Sequence, residues 1–273
     1  MTVFASNYIP RIGLGTFGRT GDEGMAAILR ALELGYRHLD TAQNYNTEEQ
    51  VGEAVRRSGL RRDEVFVTTK VADHRLEHDD FLKSVGESLE RLKMESVDLL
   101  LVHWPSRRDE VPFESYMTAL REAQERGWAR LIGVSNFTIS HLERARTLLG
   151  DGALATNQVE IHPFLQIPTM RGYARRHGLQ LTAYQPLAKG TVNDNAILRE
   201  IGERHGVPAS TVALSFLIGE GHVVIPASSS EAHLRANLAA RDLVLSVEEM
   251  DAIRTLDRGA RRINPEKSPR WDD

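Results

Sequence analysis

The stretch Val97-Asp98-Leu99-Leu100-Leu101-Val102-His103 is a short apolar run that stops on an imidazole. Its length and its Val/Leu content read as a strand. Amphipathic stretches of helical period flank it, at residues 79–92 and 113–126. Moving outward, the same alternation repeats. Strand candidates fall at residues 12–15, 38–40, 65–70, 97–103, 131–135, 155–160, 179–184 and 222–225. Helix candidates fall between and after them, at 22–34, 48–58, 79–92, 113–126, 140–149, 169–177, 195–205 and 230–239. Strands alternating with helices predict parallel βα units. About eight such units is the number that closes a (β/α)₈ TIM barrel.

Helix ends support these limits. Gly35, Gly59, Gly127 and Gly178 stand just past four of them, where a left-handed cap residue belongs. Two extra helices do not alternate with strands: 209–218 doubles the seventh helix, and 247–256 opens on Ser246 with Glu249 three residues later, a capping-box spacing. The residues before the first strand, with Asn7 near a turn, could form a small N-terminal β-hairpin under the barrel. No linker, low-complexity tract or short-period repeat interrupts the series, so residues 1–273 are expected to be one α/β domain.

With 41% hydrophobic and 26% charged residues and a net charge of -4, the 273-residue chain has the balance of an ordinary globular protein. Its basic clusters, Arg56, Arg57, Arg61, Arg62 and Arg261, Arg262, have acids nearby and read as solvated faces, not as a nucleic-acid surface. The absence of cysteine removes disulfides, thiolate metal sites and cysteine nucleophiles. No apolar run follows a basic start at the N-terminus, and none approaches a membrane span, so the expected compartment is the cytoplasm.

Gly13, Gly15 and Gly18 spell G-x-G-x-x-G after a strand, and Asp40 follows about 20 residues further on, as in a dinucleotide-binding Rossmann turn. The context argues against it. The third glycine should already lie inside the helix, whereas Arg19 to Gly21 intervene here, and Asp22 and Glu23 place negative charge where phosphate would sit.

In a barrel of this type chemistry sits at the C-terminal strand ends. The successive ends carry Thr16 and Phe17, Asp40, Lys70, His103, Ser135 and Asn136, Gln158 and Glu160, Tyr184, and Ser228, Ser229 and Ser230. Closing the barrel gathers them over one pocket, where such groups shift each other's pKa values. Asp40 beside Lys70 would hold the ammonium, and a cation near Tyr45 would lower the phenolic pKa and make Tyr45 a better proton donor. A structural Asp40–Lys70 ion pair with a loop tyrosine is the plainer alternative, and His103 on the next strand end weighs against it. The three serines after Pro226 lie at a helix N-terminus, in the usual phosphate-binding position of this fold. A single serine there would read as a simple N-cap. His74 and His78 with Asp73, Asp79 and Asp80 lack an H-E-x-x-H pattern and read as a polar loop and helix start, so no metal is expected.

These residues resemble the aldo-keto reductase family over nearly the whole chain. The segments that carry the resemblance are Gly35-Tyr36-Arg37-His38-Leu39-Asp40-Thr41-Ala42 through Tyr45, the Lys70 strand end, Asp98 to Pro105, Gly133-Val134-Ser135-Asn136-Phe137, Asn157-Gln158-Val159-Glu160 and Val224-Ile225-Pro226. The resemblance implies a catalytic tetrad of Asp40, Tyr45, Lys70 and His103, in which Tyr45 protonates the carbonyl oxygen as hydride arrives and His103 orients the carbonyl. It implies that Tyr184 stacks on a nicotinamide ring, that Ser135, Asn136 and Gln158 bind its carboxamide, and that Thr16 also belongs to the cofactor site. Phe17, Trp104 and Trp271 would line the substrate pocket with His103. Within the family the chain is similar to the short bacterial reductases of 2,5-diketo-D-gluconate and methylglyoxal.

One departure concerns the cofactor. Many members follow Ile-Pro with Lys-Ser and a later Arg that hold the NADPH 2′-phosphate; here Ala227 takes the Lys position and His233 the Arg position. Arg235 and the amides of Ser228, Ser229 and Ser230 could still bind that phosphate, and Asn237 keeps the asparagine near the adenine. NADPH is the expected cofactor, with NADH able to serve, and the expected state is a monomer acting on a small carbonyl compound. Two rivals use the same barrel. A phosphosugar isomerase or lyase would leave Tyr45 and Tyr184 without roles, and a non-catalytic nicotinamide-binding regulatory subunit would not need all four tetrad residues.

Overall fold

The structure, a computed structural model, describes residues 8–272. Eight strands form one parallel sheet in sequence order: β1 (Leu14–Gly15), β2 (His38–Asp40), β3 (Phe66–Val71), β4 (Val97–Val102), β5 (Ala129–Ser135), β6 (Thr156–Glu160), β7 (Gln180–Tyr184) and β8 (Val223–Val224). The ring closes between the last strand and the first. Ile12 bridges Val224 in parallel, Gly13 N–H donates to Val224 O at 2.9 Å, and Gly15 N–H donates to Pro226 O at 3.0 Å. The fold is therefore the expected (β/α)₈ barrel.

The closing seam also explains the glycines. A Cβ on Gly13 would stand 2.7 Å from His38 Nδ1, and one on Gly15 would stand 2.9 Å from Ile225 O. Both positions need glycine so that β1 can fit against its neighbours.

Helices α1 (Gly21–Leu34), α2 (Glu48–Arg57), α3 (His78–Leu92), α4 (Phe113–Glu125), α5 (Ile139–Leu149), α6 (Pro168–His177), α7 (Ala196–His205) and α9 (Glu231–Ala239) follow the strands, with the extra helices α8 (Ala209–Gly219) and α10 (Val247–Arg254) as expected. Gly35, Gly59, Gly127 and Gly178 all have positive φ. Ser246 Oγ accepts from Glu249 N–H at 3.2 Å while the Glu249 carboxylate accepts from Ser246 N–H, so the capping box forms. The first and eighth strands are shorter than expected: His222 N–H turns back to Leu217 O, and Pro226, which has no N–H, stops the ladder after Ile225 bonds Ala183 O. The hairpin expected ahead of the barrel involves Asn7 and lies outside the described residues.

Period-two alternation decides which side chains look inward. Phe66, Leu99, Leu101, Leu131 and Val223 form a small interior cluster with Ile9, whereas Val67, Leu100, Val102 and Ile132 belong to the outer core shared with the helices. Continuing the inward parity to the strand ends brings Lys70, His103 and Ser135 to the top of the barrel. Residues 258–272 then cross this rim without helix or strand. The Glu160 carboxylate accepts from the N–H groups of Arg262 and Ile263, each at 2.8 Å, and Asp272 accepts from Ile139 N–H at 2.6 Å.

Candidate active site

Asp40 and Lys70 meet on the inward face of adjacent strands. Both side chains are fully buried; Lys70 Nζ donates to Asp40 Oδ1 at 2.5 Å and to the Thr41 carbonyl at 2.8 Å. Across the barrel, Gln158 Nε2 donates to the other Asp40 oxygen at 2.7 Å. The carboxylate is thus held from both sides. Burial by itself would lower the Lys70 ammonium, but Asp40 and Tyr45 together outweigh it and hold the lysine above its ordinary value.

Tyr45 sits on a single 3₁₀ turn, Gln43–Tyr45, that follows β2. Its ring lies 4.8 Å from Lys70 Nζ and meets the His103 ring edge-on at 5.5 Å and the Phe17 ring at 5.2 Å. Burial, the largest influence, pushes the phenol above its ordinary value, and Lys70 pulls it down without reversing the shift. The expectation that the cation would lower this phenol below normal is therefore corrected: desolvation at the barrel mouth outweighs it. The outcome is a tyrosine that carries its proton at neutral pH. His103 is held well below the usual imidazole range, first by burial and then by Lys70 and Lys267, and so is neutral there.

The amides join the same network. Ser135 Oγ donates to the Gln158 carbonyl at 2.8 Å, Asn136 Nδ2 donates to the His103 carbonyl and to Ser135 Oγ at 3.0 Å each, and Tyr184 Oη donates to Asn136 Oδ1 at 2.8 Å. Asn136 adopts φ of 62°, which turns its side chain back over the strand end.

A cavity of about 840 Å³ runs from Asp40, Tyr45 and His103, past Ser135, Asn136, Gln158 and Tyr184, to Ser228, His233 and Asn237 at α9. Phe17 and Trp104 line it as expected. Other expected residues stand elsewhere. Thr16 is fully buried below the rim, its hydroxyl donating to the Asp40 carbonyl at 3.0 Å and sharing a hydrogen bond with Thr47. Ser229 and Ser230 are exposed and do not line the cavity, because Ser228 Oγ accepts the Ser230 N–H at 3.1 Å and folds the segment outward. Arg235 forms a 2.8 Å ion pair with Glu231 on the outer surface. Trp271 packs against Trp104 at 6.2 Å and under the Arg261 guanidinium, behind the cavity wall.

Arg19, Lys189 and Ile263 also line the cavity, and none was an expected site residue. They lie in the loops after β1 and β7 and in the tail, one or more residues beyond the strand ends. For Arg19 and Lys189 the usable signal was charge, since they follow strand ends that carry no cation of their own; Ile263, in a tail without period, offered none.

Residues 11–258 match the model of the aldo/keto reductase family. The chain belongs to the aldo/keto reductase family. This aldo/keto reductase is 42% identical to the methylglyoxal reductase DkgB of Escherichia coli O157:H7, over 97% of this chain and 99% of that one. It is 37% identical to the glyoxal reductase of Bacillus subtilis (strain 168), over 93% and 91% of the two chains. Among solved structures, a 2,5-diketo-D-gluconic acid reductase B superposes with a TM-score of 0.91 at 43% identity, covering 98% of this chain and 95% of that one. A Gox0644 mutant in complex with NADPH superposes with a TM-score of 0.88 at 32% identity, covering 94% and 92%.

Proposed function

We propose that this aldo/keto reductase uses NADPH to reduce a small aldehyde or ketone, of the methylglyoxal or 2,5-diketo-D-gluconate kind, to an alcohol, with Tyr45 as the general acid. The observation that carries this reading is the meeting of Tyr45, Lys70, Asp40 and His103 at one end of the 840 Å³ cavity. The rest of the cavity fits a nicotinamide dinucleotide in its donor set. Asn136 and Gln158 offer amides and Tyr184 a ring close to the tetrad, while Ser228, His233 and Asn237 offer polar groups at the far end. When bound, the reduced nicotinamide supplies the hydride.

The chain's own groups do the rest. A carbonyl oxygen placed between Tyr45 and His103 takes the phenolic proton as the carbon is reduced. The Lys70 ammonium, fixed by Asp40, stabilises the tyrosinate left behind, and neutral His103 donates a hydrogen bond that aligns and polarises the carbonyl. The phosphosugar and regulatory rivals gain nothing from this arrangement, since both leave the Tyr45–Lys70 contact idle.

NADPH as the preferred cofactor is drawn from the NADPH-bound relative. Neither Ala227 nor His233 supplies a permanent cation, and Arg235 is engaged by Glu231; a modest preference over NADH follows. A single-domain monomer in the cytoplasm completes the proposal, and sedimentation velocity tests the monomer. Among the described residues no helix is long and apolar enough to cross a membrane.

The test is an initial-rate screen of methylglyoxal, 2,5-diketo-D-gluconate and an aromatic aldehyde with each cofactor, on the wild type and on Tyr45→Phe. Loss of the phenolic proton should lower kcat by about 10²- to 10⁴-fold while quenching of tryptophan fluorescence by NADPH persists. Undiminished turnover by Tyr45→Phe would overturn the assignment of the acid.

A further inference from the structure

Tyr45 depends on a piece of chain that cannot hold itself in place. The Gln43–Tyr45 turn is three residues long, its N-cap Ala42 makes no side-chain bond, and Asn46 leaves it in the left-handed region at φ of 54°. An isolated 3₁₀ turn of this length has almost no stability of its own. The position of the phenol must therefore come from what the turn is tied to.

Besides a long 3.4 Å contact from Asn44 Nδ2 to Asp73 Oδ1 and the Lys70 bond to the Thr41 carbonyl, two sets of ties exist. Thr41 and Thr47 share a 2.8 Å hydrogen bond across the base of the loop, and Thr47 connects to Thr16 at 3.0 Å. These close the ends of the loop and make no contact with the turn residues Gln43 to Tyr45. The second set belongs to Gln43. Its Nε2 donates to Ser84 O at 3.0 Å, Ser84 Oγ at 3.1 Å and Ser88 Oγ at 3.0 Å, all on α3. Its Oε1 accepts from Ala72 N–H at 2.8 Å, directly beyond the end of β3. One carboxamide thus refers the turn both to a helix and to the strand that carries Lys70. Gln43 does not line the cavity that holds Tyr45; it faces the opposite side of the turn.

We propose that Gln43 is a positioning residue for the reaction: its carboxamide fixes the rotation of the Tyr45 turn and so sets the phenol against Lys70 and the substrate carbonyl. The inference rests on the reading of Tyr45 as the acid. Misplacing a reacting group by about 1 Å costs on the order of 100-fold in rate, so this second anchor matters for turnover and not only for stability.

The experiment compares Gln43→Met, which keeps length but removes every hydrogen bond, with Gln166→Met. Gln166 is the matched control: its buried Nε2 donates to the carbonyls of Pro163, Ile253 and Arg254, none of which lines the cavity that holds Tyr45. Both variants should lose thermal stability. Only Gln43→Met should lower kcat, by about 10- to 100-fold, with NADPH binding by fluorescence quenching within about twofold of wild type. It alone should also raise the primary deuterium isotope effect on kcat with 4-deuterated NADPH, because misaligned proton donation makes the chemical step slower. If Gln43→Met does not fold, the same measurements are made on the Ser84→Ala/Ser88→Ala pair, which removes two of the three acceptors. A wild-type kcat and isotope effect in the variant, or equal effects in Gln166→Met, would overturn the proposal. If Tyr45→Phe turns over normally, the acid assignment fails first; if Tyr45→Phe is inactive and Gln43→Met is normal, only the role of Gln43 fails.

Discussion

Lys70 is the residue on which the site's electrostatics turn. It is fully buried, pairs with Asp40 at 2.5 Å, and lies over the Tyr45 ring. Replacing it with methionine leaves a buried carboxylate with Gln158 as its remaining side-chain partner, a situation that costs about 3–5 kcal/mol. Lys70→Met should therefore lower the thermal midpoint markedly and abolish reduction. Adding Asp40→Asn should restore much of the stability and none of the activity; recovery of turnover in the double variant would show that the ammonium is not needed. At this scale the sequence was legible where parity alone decides, as for Asp40, Lys70 and His103 at strand ends. It was not legible where a side chain chooses among partners. Thr16 has the right strand end, yet its hydroxyl turns to the Asp40 carbonyl and Thr47, and Arg235 has the right helix, yet Glu231 one turn earlier captures it.

Among the elements, the helices and strands were readable because their periods and caps are local properties. The tail was not. Residues 258–272 have no period, and their course is set by contacts with distant groups, above all the Glu160 carboxylate that accepts two consecutive backbone N–H groups. His162 Nε2 lies 3.1 Å from the same carboxylate, so a negative, acceptor-only side chain is required there. Glu160 is kept ionised despite burial, the largest influence and an opposing one, by His162 and the two backbone donors. In Glu160→Gln one amide N–H₂ would confront those donors. The tail should loosen, with faster hydrogen exchange over residues 258–272 and a several-fold rise in KM for the carbonyl through Ile263, while kcat and NADPH binding change little. Unchanged exchange in that segment would count against Glu160 as its latch.

For the whole molecule, acid sensitivity follows from histidines buried in the neutral form. His38 and His222 are lowered to about 4, chiefly by burial. The unfolded chain, with histidines near 6.5, binds more protons between these values, so stability falls as pH drops from about 6.5 to 4. Below that the histidine contribution levels off, and carboxylates held ionised in the fold, Glu160 among them, continue the decline. At ~1.4 kcal/mol per unit, each histidine contributes roughly 3 kcal/mol to the loss. Urea unfolding at pH 7, 5.5 and 4.5 should show midpoints declining in that order, and His222→Leu should flatten the trend. The seam between β8 and β1 has a different consequence, one of timing. Seven strand pairs join neighbours in the sequence, but Ile12 and Val224 come from opposite ends of the chain. During folding the sheet can grow as an open ribbon, and the Asp40–Gln158 bond across the interior has to wait until the ends meet. After dilution from denaturant, helical circular dichroism should return before enzymatic activity, and a methyl group at Gly13 should lengthen that delay. The protein would then spend its early life almost fully structured and wholly inert.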